Sequence, residues 1–166
     1  MTRFQNADSM SMRRFLSIEL AMAALCNGVL NIAMAHAIFG GKDDIGLFGM
    51  DGVAFDLVAT TFFTGLLMVV LLTPVLRRRV ARGSAPSLAR QEVPWPANKL
   101  PRNTVLRGAI LGVVGTVVIV PAMVMVLGAA GMDSFAFEAL VMFKAAFGAT
   151  LGVVVAPLVI FPAIAN

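Results

Sequence analysis

Very little in this sequence is equipped for covalent chemistry. It holds one histidine, one cysteine, one tryptophan and no tyrosine. A lone His36 leaves few options for general acid–base work near neutral pH, and a lone Cys26 excludes an intrachain disulfide. There is no Gly-rich phosphate loop beside a strand, no paired cysteine ligands and no Ser-His-Asp set. Charge is scarce too, at 13% of residues against about 25% in soluble domains. Too few polar side chains exist to coat a globule in water, and lipid is the solvent that removes the problem. The 166 residues also leave no room for a separate soluble catalytic domain. The expectation is a protein that is not an enzyme.

What the chain has instead is apolar length. Four segments stand out: Phe15 to Phe39, Val53 to Leu76, Thr104 to Ala130 and Phe135 to Ile164. Each exceeds the ~20 residues that carry a helix across ~30 Å of hydrocarbon. Each must be helical, because a backbone in lipid has to satisfy its own hydrogen bonds. The fold expected is all-α, a polytopic membrane protein of four transmembrane helices arranged as two tandem hairpins. Residues 1–76 are a polar tail of about a dozen residues and the first hairpin. Residues 77–103 are a basic loop, and 104–166 the second hairpin. Ala23-Ala24-Leu25-Cys26 resembles a lipoprotein cleavage site only in part. Leu25 is not small, and the apolar run continues past Cys26, so the first span reads as a retained helix.

Positive charge gives the orientation. Arg13 and Arg14 precede the first span, and Arg77, Arg78 and Arg79 follow the second. Arg102 and Arg107 open the third, whereas the other two connections carry Lys42, Asp43, Asp44, Asp51 and Asp133. Both ends and the central loop are therefore expected in the cytoplasm of a bacterial inner (plasma) membrane. The loop is basic enough to raise nucleic acid as a partner. It lies between two spans and offers one aromatic, Trp95, so no nucleic acid is expected. Arg77, Arg78 and Arg79 read instead as contacts for anionic lipid headgroups, with Trp95 at the headgroup level.

An internal repeat is visible. Val53-Ala54-Phe55-Asp56 matches Phe135-Ala136-Phe137-Glu138, and Gly65 and Pro74 match Gly148 and Pro157. Both hairpins share one topology, so the repeat is parallel, with a pseudo-twofold axis along the membrane normal. Phe143-Lys144-Ala145-Ala146-Phe147 leads to Val155-Ala156-Pro157-Leu158-Val159, and its partner is Leu72-Thr73-Pro74-Val75-Leu76-Arg77-Arg78. These stretches resemble a family of small bacterial inner-membrane proteins, a domain of unknown function built from two-helix units. In that family the second helix ends in a Pro-hydrophobic-hydrophobic-Arg exit, and the fourth span here lacks the terminal arginines. The resemblance implies an inner-membrane location and no particular activity.

Ionisable and amide side chains inside a span are costly and are candidates for function. Glu19, Cys26, Asn27 and Asn31 fall in one arc of the first helix, which should face the bundle interior. They serve either as glue between helices or as a polar path with Glu19 as its titrating group. Asp56 and Glu138 sit at helix mouths, where the dipole favours acids. Lys144 lies deeper and either snorkels outward or pairs with Asp56 or Glu138. His36 stands off the arc. With eleven methionines it raises haem or copper, but no ligand spacing supports a metal, and no metal or cofactor is expected. Small residues mark close helix contacts: Ala24 with Gly28, Gly108 with Gly112, Gly148 with Gly152. The last two pairs point to tight packing within the second hairpin or to a dimer seam. Pro121 should kink the third span. The partners expected are the bilayer and a homo-oligomer or larger membrane complex. The functional readings are an accessory or assembly subunit and, as an alternative, a small dimeric transporter or channel lined by Glu19, Asn27 and Asn31.

Overall fold

The computed structural model describes residues 11–165; the polar tail up to residue 10 lies outside the described residues. Four helices are long and apolar enough to cross a membrane: α1 (Met12–Phe39), α2 (Val53–Ala81), α3 (Thr104–Ala129) and α4 (Phe137–Ile164). At 1.5 Å per residue each is roughly 39–44 Å long, more than the ~30 Å of hydrocarbon. Their last turns therefore reach the headgroup layer. The all-α bundle expected from composition is the one observed. Boundaries differ where charge misleads. α2 continues through Arg77, Arg78 and Arg79 to Ala81, because arginine is a good helix former and its stem extends apolar surface. The connecting loop is thus shorter than 77–103.

Local chemistry starts and stops these helices. Ser11 caps α1 by accepting the Arg14 N–H, and Asn103 caps α3 by accepting the Leu106 N–H at 3.1 Å. The chain leaves α1 and α3 through glycines in the left-handed region, Gly41 (φ 88°) and Gly131 (φ 70°), where a side chain would be strained. After each lies a three-residue strand. β1 (Asp44–Gly46) pairs antiparallel with β2 (Ser134–Ala136), placing Ile45 opposite Phe135. This ribbon is too short for any periodicity to announce it. It clips the α1–α2 connection to the α3–α4 connection.

The packing order is not the sequence order. α1 lies along α4, α2 lies along α3, and α2 meets α4 at the centre. Consecutive helices α1 and α2 touch instead through long side chains, among them Phe15, Leu72 and Leu76. The residues buried on α1 run Phe15, Glu19, Ala23, Asn27, Asn31, Ala35 and Phe39. That four-residue stripe is the spacing of helices in close small-residue contact. It meets Gly148 and Gly152 of α4, where an added methyl carbon at Gly152 would lie 2.6 Å from the Ala23 carbonyl oxygen. The α2–α3 seam is equally tight: a methyl at Gly65 would lie 2.6 Å from the Gly112 backbone nitrogen, and one at Gly108 would lie 3.0 Å from the Leu66 carbonyl oxygen.

These contacts correct one expectation. The Gly108–Gly112 and Gly148–Gly152 pairs do not pack against each other within the second hairpin. Each faces a helix of the first half, and both are consumed inside the chain rather than left for a dimer. Gly28 joins the α1–α4 seam, while Ala24 is only half-buried at its edge. α3 runs unbroken through Pro121, an exposed residue. Its ring removes one backbone donor toward Val117, on the side away from the bundle.

Candidate functional site

The buried polar side chains gather into three clasps. At the strand end, Lys144 of α4 is fully buried and donates to Asp56 Oδ2 of α2 at 2.5 Å. Thr60 Oγ1 approaches the same oxygen at 3.5 Å, and the Lys144 ammonium lies 5.7 Å from the Phe39 ring centroid. Lys144 thus joins the start of α2, the end of α1 and α4. It takes the pairing option rather than snorkelling. Glu138, its other candidate partner, is exposed. Asp56 is more than an acid at a helix mouth: its carboxylate neutralises a cation that would otherwise be stranded.

At the opposite end, Arg79 of α2 donates to Glu19 of α1 and lies over the Phe15 ring, 5.5 Å from its centroid. Arg79 is therefore taken up by the bundle, whereas Arg78 faces outward. Between the two clasps, Asn27 Nδ2 donates to the Ala23 carbonyl at 2.9 Å and approaches Met68 Sδ at 3.7 Å. Asn31 Nδ2 donates to the Asn27 carbonyl at 2.9 Å. Both amides therefore bond back to their own helix and press against the glycines of α4. Glu19, Asn27 and Asn31 face the interior as expected. Cys26 does not: it is exposed, because a four-residue stripe is narrower than the arc drawn from it. His36 is exposed too, edge-on to Phe137 with ring centroids 5.1 Å apart.

The third clasp was invisible in the sequence. Arg107, one turn inside α3, is 1% exposed. One terminal nitrogen donates to Thr73 Oγ1 of α2 at 2.7 Å, and its Nε has no partner. In the sequence it reads as one more member of the basic stretch. The only available signal was its position beyond the Asn103 cap, inside a span. Arg107 also lines a cavity of about 330 Å³ together with Arg77, Arg90 and Arg102.

Two further cavities, each of about 360 Å³, lie elsewhere. One is bounded by the loop from Lys42 to Gly52, and the other is an apolar groove between α3 and α4 that includes Met123, Phe143 and Phe147. None of the three is lined by Glu19, Asn27 or Asn31. The central loop is folded over the bundle end rather than free. Leu88 N–H donates to the Ile164 carbonyl at 3.1 Å, and Val93 and Ala97 are buried, leaving Trp95 78% exposed. Among the described residues no three His, Cys, Asp or Glu side chains come together as a metal set. No family model, curated protein or solved structure matches the chain.

Proposed function

We propose that this integral membrane protein is a non-catalytic accessory or assembly subunit, one that offers lipid-facing helix surface to other membrane proteins. The observation that carries this reading is the fate of the intramembrane polar groups. Glu19, Asp56 and Lys144 are paired inside the bundle, and the amide nitrogens of Asn27 and Asn31 donate to their own helix. A solute path needs such groups to face a shared cavity, and the arc on α1 is instead closed by Gly148 and Gly152. That weighs against the transporter reading. The outward surface is apolar and broad: only 17% of the α3 span is buried, with Val113, Val114, Val117, Val118 and Met125 exposed along it.

An internal repeat belongs to the same reading. It is supported by the reciprocal packing of α1 on α4 and α3 on α2. A bacterial inner-membrane location with both ends and the arginine-rich loop in the cytoplasm follows from the distribution of positive charge. The resemblance to small membrane proteins made of two-helix units fits this placement.

The test is a photo-crosslinking amino acid placed at Val117, with buried Leu111 as control, in cells that also carry compartment reporters on both ends. The expected result is a discrete adduct with a second membrane protein at Val117 and none at Leu111, with both reporters in the cytoplasm. Adducts with lipid alone at Val117 would remove the accessory role. Reporters on opposite sides would remove the topology.

A further inference from the structure

Arg107 poses a problem that the bundle leaves unsolved. A buried guanidinium is normally neutralised by a carboxylate or saturated with acceptors. Arg107 has one hydroxyl, Thr73 Oγ1, and an Nε with no acceptor. The cavity it lines makes the imbalance larger. Arg77 comes from the end of α2, Arg102 from the approach to α3, and Arg90 from the short 3-10 turn Arg90–Glu92. Asn98, from the second such turn (Ala97–Lys99), adds an amide, and no acidic side chain lines the cavity. The nearest acid along the loop, Glu92, turns back to accept the Ala89 N–H at 3.1 Å.

Four arginines line the cavity with no carboxylate among them, and their like charges repel unless an anion sits there. The planar guanidinium fork matches phosphate oxygens in particular. The volume, about 330 Å³, accommodates a phosphate group with a small substituent and not a macromolecule. The place in the fold agrees. The cavity lies where α2 ends, α3 begins and Pro162 and Ala165 close α4, the level at which helix ends leave hydrocarbon for headgroups.

We propose that this cavity is a binding site for a phosphate anion, either the headgroup of an anionic phospholipid or a small phosphate from solution. Arg107 is its buried anchor, and Arg77, Arg90 and Arg102 form its rim. The site differs from a diffuse basic surface in a testable way. Arg82 and Lys99 carry the same charge in the same segment but do not line the cavity. Both are exposed, as are Arg77 and Arg102, so substitution at any of the four leaves the bundle core intact.

The experiment uses the full chain in phosphatidylcholine nanodiscs, with fluorescence of Trp95, the single tryptophan, as readout. Trp95 lies between Val93 and Ala97, which line the cavity. One arm raises the phosphatidylglycerol content of the discs, and the other adds inorganic phosphate to discs without it. A saturable change is expected in at least one arm, and the responding arm names the source. The double variant R77Q/R102Q should weaken it by about tenfold or more, the loss expected when two charge-assisted hydrogen bonds go. The R82Q/K99Q variant removes the same charge at two exposed residues that do not line the cavity, and it should bind like the parent. Silence in both arms, or equal weakening in the two double variants, would overturn the site.

Discussion

Lys144 is the side chain with the most to lose. A lysine at the centre of a span costs about 2.5–3.5 kcal/mol on insertion scales; this one lies two turns into α4, fully buried, with a single carboxylate partner, Asp56. Removing either partner alone leaves the other as an uncompensated charge. Breaking such a pair costs about 3–5 kcal/mol, whereas replacing both ions with apolar groups of similar volume is often neutral or better. Lys144→Met should therefore lower the thermal unfolding midpoint in detergent sharply, as should Asp56→Leu. The combined variant should recover most of the loss. If both single variants unfold like the parent, the clasp contributes nothing to the fold. If the combined variant is worse than either, the pair has a role beyond charge balance. The sequence exposed this pair as one of several options, because helical rise places Lys144 below the helix mouth. It could not choose Asp56 over Glu138. That choice depends on α2, rather than the first turn of α4 itself, lying beside Lys144.

Among the elements, the two glycine seams set how closely helices approach. An added methyl at Gly152 collides with a backbone carbonyl, that of Ala23, which cannot rotate away. A methyl at Gly28 in the same seam meets the Ala145 carbonyl at 3.4 Å and the Ala149 Cβ at 3.6 Å, ordinary contact distances. Gly152→Ala should therefore force α1 off α4 and cost about 1–3 kcal/mol, the usual cost of overpacking. Gly28→Ala should be close to neutral, and thermal melts in one detergent compare the two directly. Equal effects would mean that the seam is looser than the structure has it. Here the sequence was half legible. Small residues at four-residue spacing marked Gly108, Gly112, Gly148 and Gly152 as seam residues. Spacing alone does not name the opposite helix, so it leaves both pairs open to packing within the second hairpin or to a dimer seam. The same limit hid the β1–β2 ribbon and the burial of Arg107. Both depend on which ends of the chain come together, not on any local pattern.

For the whole molecule, the consequence is that neither half closes its own seam. α1 needs α4 from the second half, and α3 needs α2 from the first. Four apolar spans and a loop-side excess of arginine follow from composition, since lipid admits only helices and positive charge stays on one side. The exchanged pairing does not, because an up-down bundle with neighbouring helices paired would use the same spans and the same loops. A disulfide distinguishes the two arrangements. Cβ atoms at positions 28 and 149 lie 3.6 Å apart, inside the ~3.5–4.5 Å range of bridged cysteines. With Cys26→Ser removing the native thiol, which is exposed and pairs with nothing among the described residues, Gly28→Cys and Ala149→Cys should oxidise readily. A protease site placed between the exposed Ser84 and Ser87 then cuts the chain in two. The fragments should stay joined on a non-reducing gel and separate when reduced. Fragments that separate without reductant would mean that α1 does not lie along α4. The accommodation of Asn27 and Asn31 against Gly148 and Gly152 would fail with that contact, and so would the main physical argument against a polar path.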